Sequence, residues 1–419
     1  MSPRGRHHGY RTIKNMILSA ILLLSLDPAA LAQTPSMKKA LAYAKSIEPQ
    51  IIAEQRRICE IAAPTGQEEK RGLEFKRIFE SLSLKNIRID AVGNVIGERP
   101  GRSARPNLVV AAHLDTVFPE FVGLKTKMEG SIIHGPGIGD DCRGLAVLIG
   151  MVRSLNEAGI ETPGTITFVA NVGEEGLGDL KGVKHLFNES LKGRIDAFIS
   201  IDGSGLRVTR IGVGSYRYRL AYKGKGGHSF GAFGIANPVH ALGRAIAKIG
   251  DFDVPDHPKT TFNVGRIGGG TSVNSIAFES WAEVDMRSSD AKSLDALDEK
   301  FKSAALQALN EENTRWKNKG RIEVEIKRLG YRPAGETAES APILKTVLEV
   351  SKVLGFTAET TVGEGSTDAN FPMMLKIPAL TIGGGGKGEA AHSPEESFDI
   401  TDSWKGTQRA ILMAVALVQ

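Results

Sequence analysis

Asn107-Leu108-Val109-Val110-Ala111-Ala112-His113, followed by Leu114-Asp115-Thr116, is the stretch on which the fold turns. It has no polar/apolar alternation, so it reads as a strand buried on both faces, and it ends in a histidine. Similar apolar runs stand at Thr165–Val172 and Asp196–Asp202, and the spacing is helical at Cys142–Glu157 and Gly182–Glu189. Continuous apolar strands alternating with helices predict an α/β fold with a mostly parallel sheet covered on both faces. Upstream, Met37 to Leu82 is helical in pattern, broken at Ala63-Pro64-Thr65-Gly66.

Near Gly214 the pattern changes. Tyr216–Tyr222 alternates polar and apolar residues, as a half-exposed strand does. A helix at Pro238–Ile249, strands at Thr261–Ile267 and Ser275–Arg287, a helix at Ala291–Trp316 and a strand at Ile322–Arg328 follow. That is the order of a ferredoxin-like α+β sandwich. Residues 214–329 are therefore expected to form a small domain inserted between 37–213 and 330–419. The second part resumes its alternation after Pro342 and ends in the apolar helix Ser403–Val418.

The 419 residues suit two or three domains, and a hydrophobic fraction of 41% supplies a core. Arg4, Arg6, Arg11 and Lys14, the apolar run Met16–Leu26 and the small residues Ala30-Leu31-Ala32 have the layout of a secretory signal peptide. The apolar run is too short for a membrane span. The expectation is a secreted or periplasmic protein cut after Ala32, with no membrane attachment afterwards. Removing residues 1–32 lowers the net charge from +5 to +2 and leaves no basic stripe, which argues against nucleic acid as a partner. Cys59 and Cys142 are the two cysteines, and the sequence leaves open whether they pair or stay as buried thiols.

Candidate metal ligands gather where strands end. Asp115 stands two residues from His113, so in extended chain both face one side. A carboxylate beside a ligating imidazole commonly fixes its tautomer. Gly135-Pro136-Gly137-Ile138-Gly139-Asp140-Asp141 is a glycine-rich loop that can present a carboxylate. Glu174 and Glu175 lie between glycines after a buried strand, Asp202 ends the strand A-F-I-S-I-D, and His392 follows G-G-G-G-K-G-E-A-A. Each alone is an ordinary strand end or solvated turn. Together they fall at one edge of one sheet, where open α/β sheets bind ligands.

The motifs H-L-D-T, G-P-G-I-G-D-D, G-E-E-G, S-I-D-G and A-H-S-P-E-E, in that order, resemble the family of peptidase T, glutamate carboxypeptidase and acetylornithine deacetylase. The resemblance spans nearly the whole chain after the leader, and it implies a di-metal exopeptidase or amidohydrolase with the insert as dimerisation lid. It implies that His113 and Asp202 hold one metal, Glu175 and His392 the other, and that Asp140 bridges them. It further implies Glu174 as general base, Asp115 as support for His113, and a non-proline cis peptide at Asp140-Asp141. Through it, His228 in K-G-K-G-G-H-S becomes an oxyanion-stabilising residue acting on the partner protomer of a homodimer. Asn274 and Arg287 become the grip on a substrate carboxylate. Two histidines and three carboxylates suit zinc, with manganese or cobalt as alternatives.

The expected reaction is cleavage of short peptides. Deacylation of N-acyl amino acids is the alternative within the enzymes, and a metal- or solute-binding protein is the alternative outside them. The chain departs from many relatives at Asp141-Cys142-Arg143-Gly144, where Arg143 could alter the charge near the substrate. Gly383–Gly388 lacks the Ser/Thr and helix of a phosphate loop.

Overall fold

The computed structural model describes residues 27–120 and 122–419. The charged head and apolar run of the expected leader lie outside them. The expected cut falls inside a helix, Pro28–Gln33, in which Ala32 is buried.

Every residue of the strand Asn107–His113 is buried. It pairs in parallel with Thr165–Asn171 on one side and Ala197–Ile201 on the other, and Ala197–Ile201 pairs in parallel with Ala379–Ile382. These four strands carry the run of Val, Ile, Leu and Phe that a two-sided core requires. The sheet around them is mixed rather than mostly parallel. Val95–Arg99 joins antiparallel at one flank and Val208–Gly212 at the other. Val95–Arg99 is buried except at Arg99, but Gly97, Glu98 and Arg99 leave its sequence little of the apolar signal. Helix Cys142–Glu157 and the terminal helix Trp404–Leu417 are buried over most of their surfaces and pack on one face.

The chain leaves Asn107–His113, crosses to one neighbour, then returns to the opposite neighbour. This reversal opens a crevice at the carboxyl ends of the strands. His113 closes the central strand, Glu174 and Glu175 follow the second, Asp202 follows the third, and the fourth leads into the loop that carries His392.

A small antiparallel sheet went unread in the sequence. Lys127–Glu129, Ile132–His134, Ser397–Asp399 and Lys387–Glu389 pair in sequence-distant order. Segments of three residues hold no readable alternation. Their pairing nonetheless brings the loop bearing Asp140 against the loop bearing His392.

The inserted segment forms a four-stranded antiparallel sheet in the order Thr260–Gly269, Glu279–Ser288, Gly214–Lys223, Glu323–Arg332. With helices Pro238–Gly250 and Ala291–Arg315 this is the ferredoxin-like arrangement, and it has a core of its own. The predicted strand Ser275–Arg287 is two strands, Ser275–Ile276 and Glu279–Ser288, and the last strand runs past the expected boundary to Arg332.

Arg143 does not face the substrate. It is fully buried, pairs with Glu48 at 2.9 Å, and donates to the carbonyls of Gly384 at 2.7 Å and Ser403 at 2.6 Å. Gly144 after it has a steric reason: a Cβ there would sit 2.4 Å from Asp141 Oδ1 and from the Ile201 carbonyl. Breaking one side of a buried ion pair strands the other charge, so Glu48→Ala is expected to destabilise the fold by about 3–5 kcal/mol. Urea unfolding checks it, and an unchanged midpoint would show that the carbonyls alone satisfy Arg143. Cys59 and Cys142 are buried and joined as a disulfide, with Cα atoms 5.5 Å apart. The bond ties the end of helix Glu48–Cys59 to the first residue of the helix that follows Asp141.

Candidate metal centre

Asp140 is shared between two histidines. His113 Nε2 lies 3.0 Å from Asp140 Oδ1, and His392 Nε2 lies 3.2 Å from Asp140 Oδ2 and 3.0 Å from Glu175 Oε1. One atom each of His113, Asp140 and Glu175 fall within 4.8 Å of one another. Donor atoms about 2.0–2.1 Å from a tetrahedral zinc ion stand roughly 3.3 Å from each other, so the observed spacings fit donors around a cation. Asp202, buried, opens onto the same cleft as Asp140, Glu175 and His392.

The electrostatics agree. Burial opposes the charged form of His113, yet Asp115 and Asp140 raise its pKa well above the ordinary value. Hydrogen bonds to Asp140 and Glu175 raise His392 to about 10. Burial and the neighbouring Asp140 push Asp202 up to about 6. Packed carboxylates that draw protons onto themselves and their histidines would equally draw a dication, which neutralises the same field.

The support is built from the backbone. His113 Nδ1 faces the Asp115 carbonyl oxygen at 3.0 Å and its carboxylate at 3.5 Å, which leaves Nε2 for the cluster. The Asp115 carboxylate also accepts the N–H groups of Glu174 at 3.1 Å and Glu175 at 2.9 Å, and the Thr65 hydroxyl at 3.0 Å. Asp141 accepts the N–H groups of His113, Gly144 and Gly203, tying three segments together, and the Asp140-Asp141 peptide is cis.

Glu174 is buried beside the cluster. Its carboxylate accepts from Arg332 Nη1 at 2.9 Å and its carbonyl accepts from Arg332 Nη2. Burial raises the pKa of Glu174 well above the ordinary value, against the pull of Arg332. The cleft, about 370 Å³, is lined by Asp140, Glu174, Glu175, Asp202, His392 and, among others, Arg207, Arg217, Arg287 and Arg332.

Arg287 reaches the cleft from the insert, its Nε on Asp285 at 2.8 Å. His228 and Asn274 do not line it. They share a two-stranded ribbon, Gly227–His228 with Ser275–Ile276, in which Ser229 N–H donates to the Asn274 carbonyl at 2.9 Å. His228 is exposed, and its Nδ1 accepts from the N–H groups of Phe230 and Gly231. That leaves Nε2–H as a donor to something else.

Sequence reasoning missed Arg332, Arg207 and the part played by Glu396. Glu396 accepts the N–H groups of Gly137 at 2.7 Å, Gly139 at 2.8 Å and Asp140 at 3.0 Å, holding the loop that presents Asp140. Its motif is legible, but nothing local reveals a partner so distant in the chain.

Fold and site together define an α/β protein with a His/Asp/Glu group able to hold a metal ion at the switch-point crevice. The sequence model described as Peptidase family M20/M25/M40 matches residues 109–415. The chain belongs to that family of metal-dependent hydrolases. It is 26% identical over 390 residues to the uncharacterized protein YqjE of Bacillus subtilis (strain 168), covering 89% of this chain and 98% of that one. It is 26% identical over 320 residues to the acetylornithine deacetylase of Pectobacterium carotovorum, covering 73% and 77%. Its fold matches the crystal structure of aminopeptidase PepT from Bacillus cereus ATCC 10987 at a TM-score of 0.71, with 21% identity over 89% of this chain and 99% of that one.

Proposed function

We propose that the protein holds two divalent ions, zinc by the chemistry of the donors, and cleaves amide bonds of short peptides. The observation that carries this reading is the division of Asp140, one oxygen toward each histidine, with Glu174 buried alongside. His113 and Asp202 would hold one ion, Glu175 and His392 the other, and Asp140 both. When bound, such a pair polarises the carbonyl and lowers the pKa of water. Glu174 takes the proton from the attacking water and passes it to the departing amine. Arg332 fixes the carboxylate of Glu174, and Asp115 fixes its backbone.

Arg287 commits Nε to Asp285 and keeps its terminal nitrogens for a substrate carboxylate, a bidentate pairing that suits guanidinium. Free-acid peptides should be cleaved roughly 10- to 150-fold better than their amides, the worth of one charged hydrogen bond. Arg287→Ala should erase most of that ratio. Matched pairs with the zinc-loaded enzyme give the measurement, and equal kcat/KM for both members in the wild type would end the anchor idea.

We further propose a homodimer in which His228 and Asn274 serve the partner's cleft. Their absence from the cleft of their own chain supports this, as does the apolar exposure beside them, 90% at Phe230 and 103% at Val273. Mixed dimers of His228→Ala and Glu174→Gln protomers would hold one site with both wild-type groups, and so recover up to half the wild-type activity. No recovery from confirmed mixed dimers would count against action in trans. Deacylation of N-acyl amino acids is the second reading. The same residues serve it, and the likeness to an acetylornithine deacetylase favours it.

A further inference from the structure

The cleft continues past the cluster. Beyond Asp140 and Asp202 lies a second cavity of about 220 Å³, bordered by Gly139, Ser204, Gly388, Glu389 and Glu396. Arg207 borders both cavities, and Arg287 only the first.

The arginines around these cavities each meet a carboxylate, Arg217 and Arg287 sharing Asp285, with one exception. Arg217 pairs with Asp285 at 3.0 Å, Arg287 with Asp285 at 2.8 Å and Arg332 with Glu174 at 2.9 Å. In the second cavity, Glu389 pairs with Lys387 at 2.6 Å, and both oxygens of Glu396 are taken by backbone N–H groups. Asp140 and Asp202 are ligands in the proposed centre. Among the described residues Arg207 has no ion pair and no side-chain hydrogen bond. Its backbone is nevertheless held in place, because its carbonyl accepts Gly383 N–H at 3.0 Å and the Leu206 carbonyl accepts Arg409 Nη1 at 2.6 Å. A fixed backbone that brings a guanidinium without a hydrogen-bonded partner to the border of a cleft can receive an anion.

We propose that Arg207 is a specificity-determining residue that binds a carboxylate on the acyl half of the substrate, across the scissile amide from the group held by Arg287. The acyl half is then an acidic amino-terminal residue or a dicarboxylic acyl group such as succinyl. Both present a carboxylate a few bonds from the reacting carbonyl, and the second cavity accommodates it.

The proposal rests on the amide-hydrolase reading, so its test separates the two. Zinc-loaded wild type is assayed on Glu-Ala against Gln-Ala, and on N-succinyl-Ala against N-succinamoyl-Ala, pairs that differ in one charge. The acidic member of at least one pair should be favoured about tenfold or more, and the pair that responds identifies the source of the carboxylate. Arg207→Gln should bring that ratio close to one, and Arg207→Lys should keep part of it. A merely structural role would lower both members together and leave the ratio alone. Calorimetry with succinate supplies a readout without turnover, and Arg207→Gln should bind it about tenfold more weakly or worse. A wild type that cleaves the neutral members as well as the acidic ones overturns the assignment of Arg207 while sparing the hydrolase reading. Failure to cleave any of the four, with succinate binding still dependent on Arg207, overturns the hydrolase reading and supports the anion site. Equal succinate binding by wild type and Arg207→Gln overturns the anion site.

Discussion

Glu174→Gln is expected to lower kcat by about 10²–10⁴-fold, the usual contribution of one general base, with both metal ions retained. The carboxylate of Glu174 faces Arg332 rather than His113 or His392, so it is free of the ligand set. Glutamine has the same shape and keeps an oxygen for Arg332 Nη1, while the residue's N–H stays on Asp115. Geometry should therefore survive and proton transfer should not. Metal analysis beside steady-state kinetics decides the matter. Near-normal turnover, or loss of metal from a folded protein, would mean that Glu174 and Glu175 have been given each other's roles.

Asp140→Asn should have the larger effect, because one residue serves both ions. Its two oxygens point to different histidines, and an amide replaces one anionic donor by an N–H₂ group that repels a cation. Bound metal should fall from two ions to one or none, and activity to the level of chelated wild type. The loop itself should persist, since Glu396 holds it through backbone N–H groups that the substitution leaves alone. Two retained ions with normal turnover would remove Asp140 from the bridge.

Much of this centre is legible in the sequence because its pieces are local. His113 ends a buried strand and Glu174, Glu175 and Asp202 each follow one, and a buried strand announces itself as a continuous apolar run. The cis peptide follows from resemblance and the ferredoxin-like order from periodicity, and the structure contains both. What stays hidden depends on pairs distant in the chain. Arg332 lies beyond the boundary drawn for the insert, yet it meets Glu174. Arg143 carries a charge next to a ligand loop, and only the position of Glu48 shows that it points into the core. The small sheet beneath His392 is built of three-residue strands too short to leave a pattern, and the flanking strand Val95–Arg99, though buried, is interrupted by Gly97, Glu98 and Arg99. Spacing alone makes Asp115 a partner for His113, whereas its carboxylate mainly holds the two glutamate N–H groups.

The central claim is a pair of ions shared through Asp140, and anomalous diffraction from crystals of the zinc-loaded protein tests it most directly. Two peaks are expected, one among His113, Asp140 and Asp202 and the other among Asp140, Glu175 and His392. A single peak, or peaks that do not touch Asp140, would contradict it.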